Sequence, residues 1–284
     1  MFEMKTPPKW TSDAADIERE ERKREQSPSS FFFSQGQALV LAANYFSDDR
    51  LVPGARGGVA AKHRHRIQLA LFGQMMAALE FLFKDFVASV ADLVPTFDEV
   101  LAQAKWIQVD ARRVLSFRSA SSTAGAGAIL LHPTQGWHEP ADVNDRYSAL
   151  FKRAPISKAE IPALERLWIL RHSVAHNAGF VTTHDAIRGG LPELAEGVAD
   201  IDAEYLGQTF DFLCGIARRI AEEVGDAVVQ AWLKTRTSAG ADYNRDKEMY
   251  SALKQLATYV DSRTKDLPQI TKGYYTEDFK RAGS

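Results

Sequence analysis

One cysteine, Cys214, occurs among 284 residues. That excludes an internal disulfide and leaves no zinc–thiolate cluster. Cys214 falls in a predicted amphipathic helix and reads as a small core residue. Net charge is nearly missing too, since 35 Lys and Arg against 37 Asp and Glu leave −2. No global field for a polyanion follows, so any nucleic-acid contact must use a local basic patch. No long apolar run is present. The most apolar window, 67–87, is interrupted by Gln68, Gln74, Glu80, Lys84 and Asp85, which speaks against a membrane span. The first 30 residues are polar and charged and carry no signal-peptide pattern. A soluble cytoplasmic protein with no membrane partner is expected. Strand alternation is almost absent, and no internal repeat is found. Two catalytic signatures are missing as well. Gly125-Ala126-Gly127 is too short to be a phosphate-cradling loop, and no Gly-x-Ser-x-Gly occurs.

What the chain does have is apolar content, 45% hydrophobic residues, arranged at helical spacing. Phe72, Met76, Leu79, Phe83, Phe86 and Val90 repeat every three or four residues and predict a long helix over 60–94, closed by Pro95. Thr96-Phe97-Asp98-Glu99 reads as a capping box opening a helix to about 117. Residues 118–140, rich in Ser, Ala, Gly and Pro, read as a loop. A short helix near 142–153 follows, then one from about Ser157, with Glu160 as its capping partner, to Ala178. Gly179 fits the left-handed residue past its end, with Phe180 as the apolar follower. Residues 180–203 look irregular. A helix over 204–235 carries Leu213, Ile216, Ile220, Val224, Val228 and Trp232 on one face, and a weaker one spans 243–262. Before all of these, a short helix near 36–47 follows the mixed-charge run Glu18 to Glu25 and Ser27-Pro28. The expected architecture is an all-α helical bundle with little β structure. Its parts are a charged N-terminal segment (1–35), the helical domain (36–235), and a C-terminal helix with a tail (236–284).

The helix over 157–178 carries the chemistry. Arg171-His172-Ser173-Val174-Ala175-His176 places a permanent cation and two imidazoles in a segment otherwise flanked by Leu164, Leu167, Trp168, Ile169 and Leu170. A helix turns about 100° per residue, so His172 and His176 stack one turn apart. Arg171 joins them within an arc of roughly 140°. Such groups in an apolar segment call for a partner surface or a substrate. The pattern Arg, polar residue, three residues, His, extended as Leu167-Trp168-Ile169-Leu170-Arg171-His172-Ser173-Val174-Ala175-His176-Asn177-Ala178-Gly179, resembles the signature of the HEPN superfamily. The resemblance covers roughly 66–235 and is sharp at 164–181. It implies an all-α bundle and, in many members, a metal-independent ribonuclease. In those nucleases two copies of the motif helix meet across a two-fold axis, so the resemblance also implies a homodimer, an RNA substrate and no cofactor. The residue after the Arg is most often Asn in that family; here it is His172.

Cleaving RNA without a metal needs a base for the 2′-hydroxyl proton, an acid for the departing 5′-oxygen and a cation on the phosphate. Histidine can fill either proton role near neutrality, and arginine's planar fork grips phosphate oxygens. By the resemblance, His176 transfers the proton, Arg171 holds the scissile phosphate, and His172 orients them, with Asn177 in support. The products would carry 2′,3′-cyclic phosphate ends. A toxin or defence context is implied, with any nucleotidyltransferase-type antitoxin or other partner protein on a separate chain. The alternative is a catalytically inactive module of the same fold that binds RNA or a protein. A plainer reading of Arg171 pairs it with an acid, Glu165 or Glu80, of which Glu80 on the first long helix is the supporting candidate. His172, His176 and His184 also suggest zinc. However, Ser173 stands where a zinc-protease helix needs Glu, and no further ligand cluster completes a site. Finally, Lys62-His63-Arg64-His65-Arg66 is the densest basic run. It reads as a solvated helix end, or as an RNA-binding patch through Lys62, Arg64 and Arg66 if it borders the motif.

Overall fold

The structure is a computed structural model, and it describes residues 27–58, 60–94, 97–107, 127, 136–234 and 243–259. Within these the fold is all-α, with a single two-stranded antiparallel sheet. Seven segments fall outside the described residues. They include the charged run 18–25, Pro95 and Thr96, Gly125-Ala126, most of the expected loop over 118–140, and the tail over 263–284.

The axis of the bundle is Ala61–Leu93, here α2. Its periodic apolar residues Phe72, Met76, Leu79, Phe83, Phe86 and Val90 are all buried. Spacing at three and four residues places them on one side of the rod. By length and hydropathy α2 is also a helix that could cross a bilayer; here its apolar side forms the protein core. Pro28–Ser47 (α1) packs along α2. It starts at Pro28 and not near 36, because Ser27 caps it: the Ser27 hydroxyl accepts from the Ser30 N–H at 3.1 Å. Pro28 then takes a first-turn position, where its missing N–H costs nothing. Asp98–Ala102 (α3) is shorter than the expected helix to 117 and runs into a turn by Gln103.

Pro140–Phe151 (α4) brings Tyr147 into the core, where its hydroxyl donates to the Phe83 carbonyl at 3.1 Å. Ile161–Asn177 (α5) is the motif helix. It opens four residues after Ser157, and the reason is Pro162. Proline is tolerated only in a helix's first turn, where no N–H is owed to a preceding carbonyl. Glu160 still reaches back as a capping partner, its Oε2 accepting from the Ser157 N–H at 2.8 Å, and it pairs with Arg219.

Next come Phe180–Val181 (β1), Thr183–Gly189 (α6), a single 3-10 turn at Pro192–Leu194, and Gly197–Val198 (β2). Phe180 faces Val198 across the hairpin. The expectation of an irregular stretch over 180–203 is corrected here. Strands of two residues are too short to show alternation, and α6 is too short to show helical period. Ala203–Arg219 (α7) continues through a π turn at Ile220–Gly225 into Asp226–Lys234 (α8). Leu213, Ile216, Ile220, Val224, Val228 and Trp232 are all buried, as their spacing predicts. Cys214 is half-buried against this core. Tyr243–Leu256 (α9) packs on α2 and α8.

The end of α5 is built differently from the expectation in one respect. The left-handed residue is Ala178, at φ 53°, and Gly179 follows at φ 90°. The Ala178 and Gly179 N–H groups both donate back to the Ser173 carbonyl, the latter at 2.9 Å, and close the helix end. Gly179 is needed for a second reason: a Cβ there would lie 2.7 Å from Leu69 Cδ1 on α2. An L-residue with a Cβ in the left-handed region carries strain that glycine lacks. Replacing Ala178 by Gly is expected to raise stability by about 1 kcal/mol, measured as a higher urea midpoint with an unchanged slope.

Candidate functional site

α5 changes character along its length. In its first half Leu164, Leu167, Trp168, Ile169 and Leu170 are buried. In its second half His172, Ala175, His176 and Ala178 are exposed and Arg171 is half-buried. The apolar side that the sequence predicts through Ile161, Leu164, Trp168, Ala175 and Ala178 is therefore covered at one end and open at the other. Arg171 sits at the boundary between them. The small side chains of Ala175 and Ala178 lie beside it on the open side. Asn177 closes the helix and is half-buried.

The polar heads of the motif are not consumed by the fold. Arg171 makes no hydrogen bond, ion pair or ring contact with any described residue. The rings of His172 and His176 meet each other, with centroids 4.7 Å apart and planes tilted by 43°, and neither has a hydrogen bond to a described residue. Of the two acids proposed for Arg171, neither pairs with it. Glu80 faces elsewhere: its Oε1 accepts from Lys84 Nζ at 2.8 Å and from the Trp137 N–H at 3.2 Å. The assignment of Glu80 to the motif is thus corrected, and the reason is local. Lys84 stands one turn along the same helix, the favoured distance for such a pair.

Cavities flank α5 on two sides. One, of about 260 Å³, is lined by His138, Glu165, Trp168, His172, Asp185 and Arg188, among others. The other, of about 460 Å³, lies between the start of α2 and the end of α5. His65, Arg66 and Leu69 face Val174, Ala178 and Val198 there. The basic run therefore does border the motif helix, but through His65 and Arg66. Arg64 is engaged elsewhere, its guanidinium donating to the Ala55 carbonyl at 2.8 Å. Lys62 lies in α2, and its side chain is outside those described.

Five residues of the first cavity were not singled out by sequence: His138, Glu139, Pro140, Asp185 and Arg188. His138 lies in a short connecting segment, 34 positions before His172, with no local pattern to mark it. The fold holds that segment firmly. Glu80 accepts from the Trp137 N–H, and Arg146 donates to the Gly136 carbonyl at 3.0 Å with its guanidinium over the Trp137 ring at 4.8 Å. Gly136 leaves room for the imidazole, since a Cβ there would stand 2.1 Å from His138 Cε1. Asp185 did have a signal. Thr182-Thr183-His184-Asp185 fits the helix-start pattern of a hydroxyl followed three residues later by an acid. The Thr182 hydroxyl accepts from the Asp185 N–H at 3.1 Å and donates to Asp185 Oδ2 at 3.0 Å.

Among the described residues no three of His, Cys, Asp and Glu converge as metal ligands. His184, in the first turn of α6, is exposed. No family model, curated protein or solved structure matches the chain.

Burial works against the Glu80 charge, but Lys84, the Trp137 N–H and the nearby His138 outweigh it and hold its carboxyl below the usual glutamate range. A lowered value means that ionised Glu80 stabilises the fold above the unfolded value, and that this contribution is lost as pH falls through the folded value. Glu80→Gln is expected to cost about 1–3 kcal/mol at neutral pH. The difference from the parent should shrink steadily below the ordinary glutamate value of 4.5, as measured by denaturant melts at a series of pH values.

Proposed function

We propose that the protein is a metal-independent RNA endonuclease of HEPN type that works as a homodimer. One observation carries this reading: on the open half of a helix whose other half is buried, neither the Arg171 guanidinium nor the His176 imidazole has a hydrogen bond or ion pair with a described residue. Unsatisfied polar heads next to exposed alanines suit two tasks at once. Ala175 and Ala178 let a second copy of α5 approach closely, since interaxial distance follows side-chain size at the contact. Two-fold association then brings two arginines and two pairs of histidines to one groove.

In that groove His176 of one copy accepts the ribose 2′-hydroxyl proton. The 2′-oxygen bonds to phosphorus and the bond to the 5′-oxygen breaks. His176 of the second copy donates the proton that the leaving 5′-oxygen requires. The products are a 2′,3′-cyclic phosphate and a free 5′-hydroxyl. Arg171 supports the phosphate oxygens as negative charge builds on them. His172, in ring contact with His176, orients it. Arg66, bordering the groove at the end of α5, adds a phosphate contact outside the reacting centre. Any antitoxin is a separate chain in this reading, and the setting is the cytoplasm.

The test is incubation of the purified chain with total RNA in EDTA, beside His176→Ala and Arg171→Ala. Fragments with cyclic phosphate ends are expected from the parent. Losing the proton-transfer group should slow cleavage by about 10²–10⁴-fold, and losing the cation by about 10²–10³-fold. Sedimentation of the same samples should give a dimer. Intact RNA with a folded parent dimer would replace this reading with a non-catalytic module that binds RNA or a protein.

A further inference from the structure

We propose that the cavity beside His172 is a nucleobase subsite that selects guanine, seating the base whose 3′-phosphate Arg171 holds. The proposal rests on the RNA reading above and deepens it.

The cavity has the wrong charge for a phosphate. Glu139, Glu165 and Asp185 line it against the single guanidinium of Arg188, and that guanidinium already donates to Glu139 at 3.3 Å. An anion would meet net repulsion there, whereas a neutral group rich in N–H donors would meet acceptors. Two carboxylates have acceptor capacity to spare. Asp185 is only 8% exposed, and the one oxygen with a partner is Oδ2. Glu165 is exposed and makes no hydrogen bond or ion pair with a described residue. Asp185 Oδ1 is not sealed from solvent, so it is open to a donor that enters the cavity.

The remaining lining supplies what a base needs besides donors. The rings of His138 and Trp168 meet edge to face at a centroid distance of 6.0 Å, giving aromatic surface of the kind on which unstacked RNA bases rest. Trp168 is 7% exposed, and its indole N–H is buried with no acceptor. The volume, about 260 Å³, sits just under the range of about 300–1,000 Å³ usual for ligand pockets. It has room for one base.

Guanine is singled out by the order of groups on its edge. Its N1–H and N2 amino group are adjacent donors, so one carboxylate can accept from both. Adenine and cytosine place a ring acceptor next to their amino group, and that lone pair would oppose a carboxylate. Uracil's one ring N–H lies between two carbonyls, which would oppose it likewise. Guanine alone therefore presents two adjacent donors to a single carboxylate. His172 joins this cavity to the motif: it lines the pocket and neighbours Arg171 in the chain.

The experiment is calorimetric titration of the full chain with the 3′-monophosphates of guanosine, adenosine, cytidine and uridine. It is repeated on Asp185→Asn and Glu165→Gln. Glu165 is exposed, so its variant folds whatever becomes of the other. The guanosine compound is expected to bind at least tenfold more tightly than the other three, and at least one of the two variants should bring it to within about threefold of them. Equal affinities, no binding by any of the four, or a preference that survives both variants overturns the subsite. Mapping cut sites on a mixed-sequence RNA separates the two readings. Cleavage without base preference keeps the nuclease and removes the subsite, whereas selective binding of the guanosine compound without cleavage keeps the subsite and removes the nuclease.

Discussion

Burial of one side of α2 is the constraint on which the other elements depend. Ten of its large side chains, from Leu69 to Val90, are withdrawn from water, and each such burial contributes roughly 1.5–3 kcal/mol. A helix of 33 residues with that much apolar surface cannot stand alone in water. α1, α5, α7 and α9 are the cover it requires, and each packs directly on it. The position of α5 is thereby fixed at two points. Its first half lies in the core with α2, and its start is tethered to α7 by the Glu160–Arg219 ion pair, with Arg219 also donating to the Pro155 carbonyl. Burial opposes ionisation of Glu160, but Arg219 and Ser157 outweigh it and keep its carboxyl below the usual range.

The candidate site follows from where that cover stops. Past Leu170 only one side of α5 keeps its cover, with Ser173 buried and Val174 packed on the core, and Arg171 stands at the edge of the open side. Beyond it the helix presents imidazoles and alanines to solvent before the left-handed turn at Ala178 and Gly179 sends the chain into the hairpin. A cation inside the buried half would have to be paired or would destabilise the bundle. One turn further along, the same cation is tolerated unpaired and available to a ligand. The function proposed here depends on that difference of one turn.

Glu80 illustrates how a residue can serve a site without reaching it. It does not meet Arg171, but it pins the Trp137 N–H, and Arg146 pins the Gly136 carbonyl from the other side. Between them they fix the segment that delivers His138 to the cavity wall. Groups on rigid supports keep their geometry, and precision of that order is what recognition of a base or transfer of a proton requires. Asp185 is fixed in a comparable way by Thr182 at the start of α6.

The sequence by itself determined the helical class, the buried faces of α2 and the α7–α8 rod, and the grouping of Arg171, His172 and His176 on one arc. All of these are consequences of helical periodicity, which is written locally along the chain. Two further features are written locally in the sequence: Pro162 fixes the first turn of α5, and Ser27-Pro28 opens α1. Tertiary structure alone decided that Glu80 meets the Trp137 N–H, and that Arg66 reaches the motif helix while Arg64 is spent on Ala55. It alone also brought His138, Trp168 and Asp185 to one cavity. Those outcomes depend on which surfaces of distant segments face each other, and no period or spacing within a segment carries that information.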